Sequence, residues 1–293
     1  MERLSDNVDF LGQLEYVNIA ARRLFGGQLL GFRRSRRFGT GQEYADFRPY
    51  SMGDDIRQLY WQAYLQHRRL IIKLFEESAE INIYVLLDTS ASMGRGKPEK
   101  LLYAKKIAAA LAYIALGSQD RVTLVPFSRD VDVSARPLHG RGRFVEVLRR
   151  LDGIEPTGQT DLTYAVRHFA QRYTRRGLVI ILSDFFDPAD YGQALKILHH
   201  NHFLVTSVTI NEKEEVEPTL RGDFELVDCE TGSFETARMT PGTIAAYKAA
   251  LVQHYAELQR LSAAFGYQTV GARTDQPFQD FLIDMFRRGV LVR

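Results

Sequence analysis

The sequence predicts an α/β protein. A doubly wound, mostly parallel sheet is preceded by a small β-rich unit over residues 1–78 and interrupted near residues 212–240 by an inserted β-hairpin. Three observations carry this reading. From residue 79 onward, short apolar runs alternate with helical stretches, the order of a parallel sheet with helices on both faces. The runs are nearly continuous and β-branched, as in strands covered on both sides. Residues 1–78 differ in texture, being rich in Arg, Tyr and Gly and broken into short turns and strands by Gly39-Thr40-Gly41, Arg48-Pro49-Tyr50 and Met52-Gly53-Asp54-Asp55.

The elements follow in order. Ile81 to Leu87 reads as the first buried strand, and Glu99 to Leu116 as a helix apolar on most of its circumference, with Lys100, Lys105 and Lys106 in its first half and Gly117 as its stop. Val122 to Val125 is the next strand. Phe144 to Leu151 and Asp161 to Tyr173 are helices, Leu178 to Leu182 a strand, Tyr191 to Leu198 a helix, and Phe203 to Thr209 a strand. Phe224 to Val227 and Ser233 to Thr236, around Glu230-Thr231-Gly232, form the inserted hairpin. Thr240-Pro241 opens a helix in cap-then-proline order, running to about Ala264, and Tyr267 to Val270 supplies a last strand.

Composition narrows the classes of function. With 293 residues, 45% hydrophobic and 25% charged, the chain can bury a substantial core. Cys229 is the sole cysteine, which excludes a disulfide scaffold and fits a reducing compartment, so a cytoplasmic address is expected. The longest apolar run, Ile107 to Leu116, is half the roughly 20 residues that a spanning helix needs. Met1 to Asp6 lacks the basic start and apolar stretch of an export signal, and no membrane insertion is expected. The net charge of +2 argues against a nucleic-acid binder. The exception is Arg22 to Arg37, with six arginines and no acid, read as a solvated, partner-facing loop.

In a doubly wound sheet, ligands collect beyond the carboxyl ends of the strands, so the polar residues after each apolar run are the informative ones. Asp88-Thr89-Ser90-Ala91-Ser92 follows the first strand, Ser183-Asp184 follows a later one, and Thr157-Gly158-Gln159-Thr160-Asp161 precedes a helix. Carboxylate and hydroxyl oxygens without His or Cys select a hard cation completed by waters, Mg²⁺ or Mn²⁺. Asp88, Ser90 and Ser92 can converge from one turning loop, while Thr160 and Asp184 approach from its neighbours. In the rival reading Thr160 is merely a helix cap.

These motifs resemble the von Willebrand factor A-type domain and its metal-ion-dependent adhesion site, in which Asp-x-Ser-x-Ser, a distant Thr and a later strand-end Asp appear in this order. The resemblance implies that Ser90, Ser92 and Thr160 bind the ion directly or through water, with Asp88 and Asp184 acting directly or one layer behind. The N-terminal region narrows it further. Gly39 to Tyr50, Gly53-Asp54-Asp55-Ile56-Arg57, Trp61 and Lys73 to Glu77 closely resemble bacterial "domain of unknown function 58" proteins, over about residues 22–290. The match departs at Tyr60, where that family usually has Asp. The resemblance implies a non-enzymatic adaptor or co-chaperone beside a MoxR-type AAA+ ATPase, with an open metal position accepting an Asp or Glu of a client or partner protein.

Rival readings meet the same residues. A Mg²⁺-dependent hydrolase or phosphatase could use Asp88, but Ser90 stands where the haloacid-dehalogenase pattern needs a second Asp. An aspartic protease would need a second such loop, and no phosphate-binding Gly-x-x-x-x-Gly-Lys loop exists. His199, His200 and His202 lack the spacing of a compact zinc site, and Cys229 has no nearby base in sequence. Arg48 with Asp54 and Asp55 is read as an ion-pair network locking the small unit onto the larger one, with a partner-contact role as the alternative, and Tyr44, Phe47, Tyr50, Tyr60, Trp61 and Tyr64 as a small core joining the two, part of which could instead be an exposed docking face.

Overall fold

The structure, a computed structural model, describes residues 3–25, 38–39, 43–76, 80–96, 99–129, 131–186 and 191–290. Two compact units are present: Met1–Leu29 with Ile81–Val292, and Leu30–Glu80.

In the larger unit, strands β4 (Asn82–Asp88), β5 (Arg121–Phe127), β6 (Leu138–His139), β7 (Gly177–Ser183), β8 (Leu204–Asn211) and β11 (Gln268–Arg273) form a six-stranded sheet in the order β11-β8-β7-β4-β5-β6. All pairings are parallel except that of the edge strand β6 with β5. The burial of β4 and β7 explains their unbroken apolar runs: every residue from Ile83 to Leu87 and from Leu178 to Leu182 is buried, because helices cover both faces. On one face lies α3 (Lys100–Gly117), with α1 (Val8–Phe25), α4 (Phe144–Asp152) and α9 (Phe278–Arg287) packed around it. On the other lie α5 (Leu162–Arg172), α6 (Tyr191–His200) and α8 (Pro241–Ala264), whose Leu162, Phe169, Leu195 and Leu258 join Tyr84, Val125, Ile181 and Val205 in one core.

The order in which strands are added to the sheet reverses at β4. The chain runs outward from β4 through β5 to β6, then crosses back to β7 and continues through β8 to β11. The loops after β4 and β7 therefore diverge, which leaves a crevice at the carboxyl ends of these neighbours. Between β8 and α8 stand the short α7 (Lys213–Val216) and the antiparallel hairpin of β9 (Gly222–Val227) and β10 (Phe234–Met239). Thr240 caps α8 as its sequence predicts, accepting from the Thr243 amide at 3.1 Å, with Pro241 in the first turn.

The first stretch of the chain differs from the expected β-rich unit over 1–78. Residues 8–25 are an 18-residue helix belonging to the larger unit. The physical reason is an apolar stripe at helical spacing, Phe10, Leu14, Val17 and Ala21, each at most 1% exposed. The same unit carries α9, a helix that the sequence reading leaves out.

The smaller unit is built on β1 (Phe38–Gly39), β2 (Glu43–Pro49) and β3 (Ile71–Glu76), antiparallel in the order β1-β3-β2, with α2 (Trp61–His67) packed on β3. Its charged motif is used locally. Arg48 makes a two-pronged pair with Asp54 at 2.8 and 2.6 Å, Asp54 also accepts from the Ser51 amide at 2.8 Å, and Asp55 accepts from the Arg57 amide at 2.9 Å. These bonds fix a turn within the unit. Phe47 stacks on Tyr60 and Trp61 meets Tyr64 edge-on, and Phe47 and Trp61 are 49% and 55% exposed. The arginine-rich stretch from residue 26 to 37 lies outside the described residues, as do Thr40, Gly41 and the side chain of Tyr44.

Candidate metal centre

Two loops are stitched together at the crevice. The Thr89 amide and hydroxyl both bond the Phe127 carbonyl, at 2.8 and 2.9 Å, which ties the loop after β4 to the end of β5. The Thr157 amide bonds the Thr89 carbonyl at 2.6 Å and the Ala91 amide bonds the Gly158 carbonyl at 2.9 Å. Gly158 sits at φ +73°, a left-handed conformation that favours glycine, and this turn delivers Thr160 to the end of β4.

The polar groups then gather. The Asp88 carboxylate accepts from the Ser90 amide at 2.9 Å and from the Ser183 hydroxyl at 2.6 Å. The Thr160 hydroxyl faces both Asp88 oxygens at 3.5 Å, and the Ser90 and Ser92 hydroxyls share a hydrogen bond of 2.9 Å. Thr160 can take this place because Asp161 caps α5 instead, accepting from the Tyr164 amide at 2.8 Å. Neighbouring ligand oxygens around an octahedral Mg²⁺ lie about 3 Å apart, given bonds of about 2.1 Å. One carboxylate and three hydroxyls at these separations fit a hard cation. Among the described residues no three His, Cys, Asp or Glu form a metal-holding group, so any ion here depends on the hydroxyls.

Asp184 is placed differently. Its Oδ2 pairs with the Lys100 ammonium at 2.8 Å, its Oδ1 accepts from the Phe186 amide at 3.3 Å, and Lys100 also reaches Glu215 at 2.6 Å. Asp184 thus stands beside the gathered set with one oxygen committed to a buried cation. Burial works to lower the Lys100 ammonium, but the charges of Asp184 and Glu215 outweigh it and hold it above the ordinary lysine value.

Asp88, in contrast, is bonded by hydroxyls and an amide. It is wholly buried, and burial, with the nearby charge of Asp184, pushes its carboxyl up to about 7 despite the bonds from Ser183 and Ser90. A buried carboxylate in this state is relieved either by a proton or by a cation.

Lys100, Ser183, Glu215 and Glu230 are the participants that motif reading did not assign. Glu230, at the tip of the β9–β10 hairpin, accepts from the Thr160 amide and hydroxyl, both at 3.3 Å. Ser183 is visible in the sequence as the residue before Asp184, but its bond to Asp88 is not. The others depend on packing between distant segments. Elsewhere, His199, His200 and His202 stand around the end of α6, with His199 beside Phe265 and Tyr267, and Cys229 is a half-buried free thiol.

Residues 46–257 match the family described as "Protein of unknown function DUF58". The chain belongs to that family. Uncharacterized proteins of Mycobacterium bovis and Mycobacterium tuberculosis are each 24% identical to it over 287 residues, covering 96% of this chain and 89% of theirs. Among solved structures, the conserved hypothetical protein BatB from Bacteroides thetaiotaomicron is similar over 71% of this chain and 98% of its own, at 16% identity and a TM-score of 0.43. An aerotolerance-related membrane protein from Bacteroides fragilis covers 71% of this chain and 99% of its own, at 14% identity and a TM-score of 0.45. Among the described residues of this family member, no helix is long and apolar enough to cross a membrane.

Proposed function

We propose that this chain is a non-enzymatic, metal-dependent protein-interaction module of the von Willebrand factor A type. The observation that carries the reading is the convergence of Asp88, Ser90, Ser92 and Thr160 at the carboxyl end of β4, around a wholly buried carboxylate. Mg²⁺ or Mn²⁺ would be held by these four, with Asp184 behind them. Few direct negative ligands keep such an ion electrophilic, so it supplies an open position for a carboxylate of a client or partner protein. The chain's own residues orient the site. Ser183 fixes the Asp88 carboxylate, and Lys100 pairs with Asp184 and Glu215, which leaves Asp88 without a cationic side chain bonded to it. Both Asp88 and Ser90 are 0% exposed, whereas Ser92 and Thr160 are partly exposed and form the approachable rim. A phosphatase using Asp88 as nucleophile would need that carboxylate open to substrate, and its burial speaks against this.

The partnership with a MoxR-type AAA+ ATPase and the cytoplasmic address rest on the sequence resemblance and on the single cysteine. Isothermal titration of Mg²⁺ and Mn²⁺ tests the site. Binding to the native chain should weaken about 10- to 100-fold in Ser90→Ala and vanish in Asp88→Ala. Equal binding by all three would refute the assignment.

A further inference from the structure

The hairpin of β9 and β10 is inserted between a core strand and a core helix, yet contributes no fully buried residue: its positions are exposed or half-buried, with Val227 64% and Phe234 68% exposed. Its tip, in contrast, is closely organised. Asp228 accepts from the Glu230 amide at 2.8 Å and from the Thr231 hydroxyl at 2.7 Å, and Gly232 turns the chain at φ +72°. This tip projects Glu230 onto the loop before α5. Both oxygens of its carboxylate contact Thr160, one at the amide and one at the hydroxyl, and Gln159 donates to the Glu230 carbonyl at 3.4 Å. That same Thr160 hydroxyl faces the Asp88 carboxylate. Two carboxylates 142 positions apart in the chain thus converge on one hydroxyl at the partly exposed rim, where a cation could be shared by both.

We infer that Glu230 is an internal ligand of the metal site, taking the coordination position that a partner's carboxylate would occupy, so that the hairpin must withdraw before a partner binds. The inference rests on the metal reading above and adds to it a residue, a competitor and a movable element. Because the hairpin buries little, its withdrawal leaves the sheet and its helices intact.

Mn²⁺ is the probe, since the water molecules on the bound ion can be counted by pulsed electron paramagnetic resonance in deuterated water. The full chain is compared with Glu230→Gln and Glu230→Ala, and with Asp88→Ala as control. The expected result is Mn²⁺ binding about tenfold weaker in both Glu230 variants, with one more water on the ion, and acetate displacing a water in Glu230→Ala but not in the native chain. Equal affinity and water count in the native chain and both Glu230 variants, with binding still abolished by Asp88→Ala, would overturn the role of Glu230 and leave the metal site standing. No Mn²⁺ binding by the native chain would overturn both. Circular dichroism of the Glu230 variants should match the native chain, and that of Asp88→Ala shows whether the control is folded.

Discussion

At the scale of single residues, the site is a balance of buried charges. Asp88 and Asp184 neighbour one another with Lys100 as the buried cation, and Lys100 favours Asp184. Removing a partner from a buried pair costs about 3 kcal/mol or more, so Lys100→Met should destabilise the metal-free protein by that order in urea unfolding. Asp88 makes the pH dependence explicit. Its folded value near 7 lies above the ordinary 3.8, so between those values the folded state holds a proton that the unfolded chain releases. Stability of the metal-free protein should therefore fall as pH rises from about 4 to about 7, and level off above. The Asp88→Asn variant, which has no titrating group at this position, should flatten that dependence in urea unfolding at pH 5 and pH 8. A native chain that gained stability over this range, with the Asp88→Asn variant behaving identically, would contradict the assignment. The positions of Asp88, Ser90, Ser92 and Asp184 were legible because hydroxyl and carboxyl residues just after apolar strands are a local pattern, and that of Thr160 because it stands in a Gly-containing loop ahead of a helix. Lys100 was not: it reads as one of three lysines in the first half of a helix, and only packing shows that it is 2% exposed and aimed at the end of β7.

At the scale of elements, the loops are as informative as the strands. Thr160 reaches Asp88 only because Gly158 adopts a left-handed backbone and bonds back to Ala91. Gly158→Ala should destabilise by about 1–2 kcal/mol, read as a lower urea midpoint, and should weaken Mg²⁺ binding, whereas Gly142→Ala, with open space around the added carbon and no left-handed backbone, should do neither. Strands β4, β7 and β8 and helix α8 were legible from apolar runs and from the Thr240-Pro241 start. Helix α1 was hidden by the turn-rich texture of the region around it, although the spacing of Phe10, Leu14, Val17 and Ala21 carries the signal. The hairpin was legible as an insertion, but its contact with Thr160 was not, since nothing local in Asp228-Cys229-Glu230 specifies a partner 70 residues away.

At the scale of the whole molecule, two compact units share one chain, and the family match spans parts of both. The proposed metal site lies in the larger unit, so on this proposal partner capture by the full chain should need divalent metal. Affinity purification in Mg²⁺ should retain a AAA+ ATPase or client that is lost with EDTA or with the Asp88→Ala, Ser90→Ala double variant at unchanged circular dichroism. Retention of the same partners by both baits would move recognition to another surface. The central claim, that Asp88, Ser90, Ser92 and Thr160 hold a divalent ion, is tested most directly by a crystal grown in Mn²⁺ and measured for anomalous scattering. A single strong peak among these four side chains is the predicted result. A well-ordered site with no peak there, at saturating Mn²⁺, would contradict it.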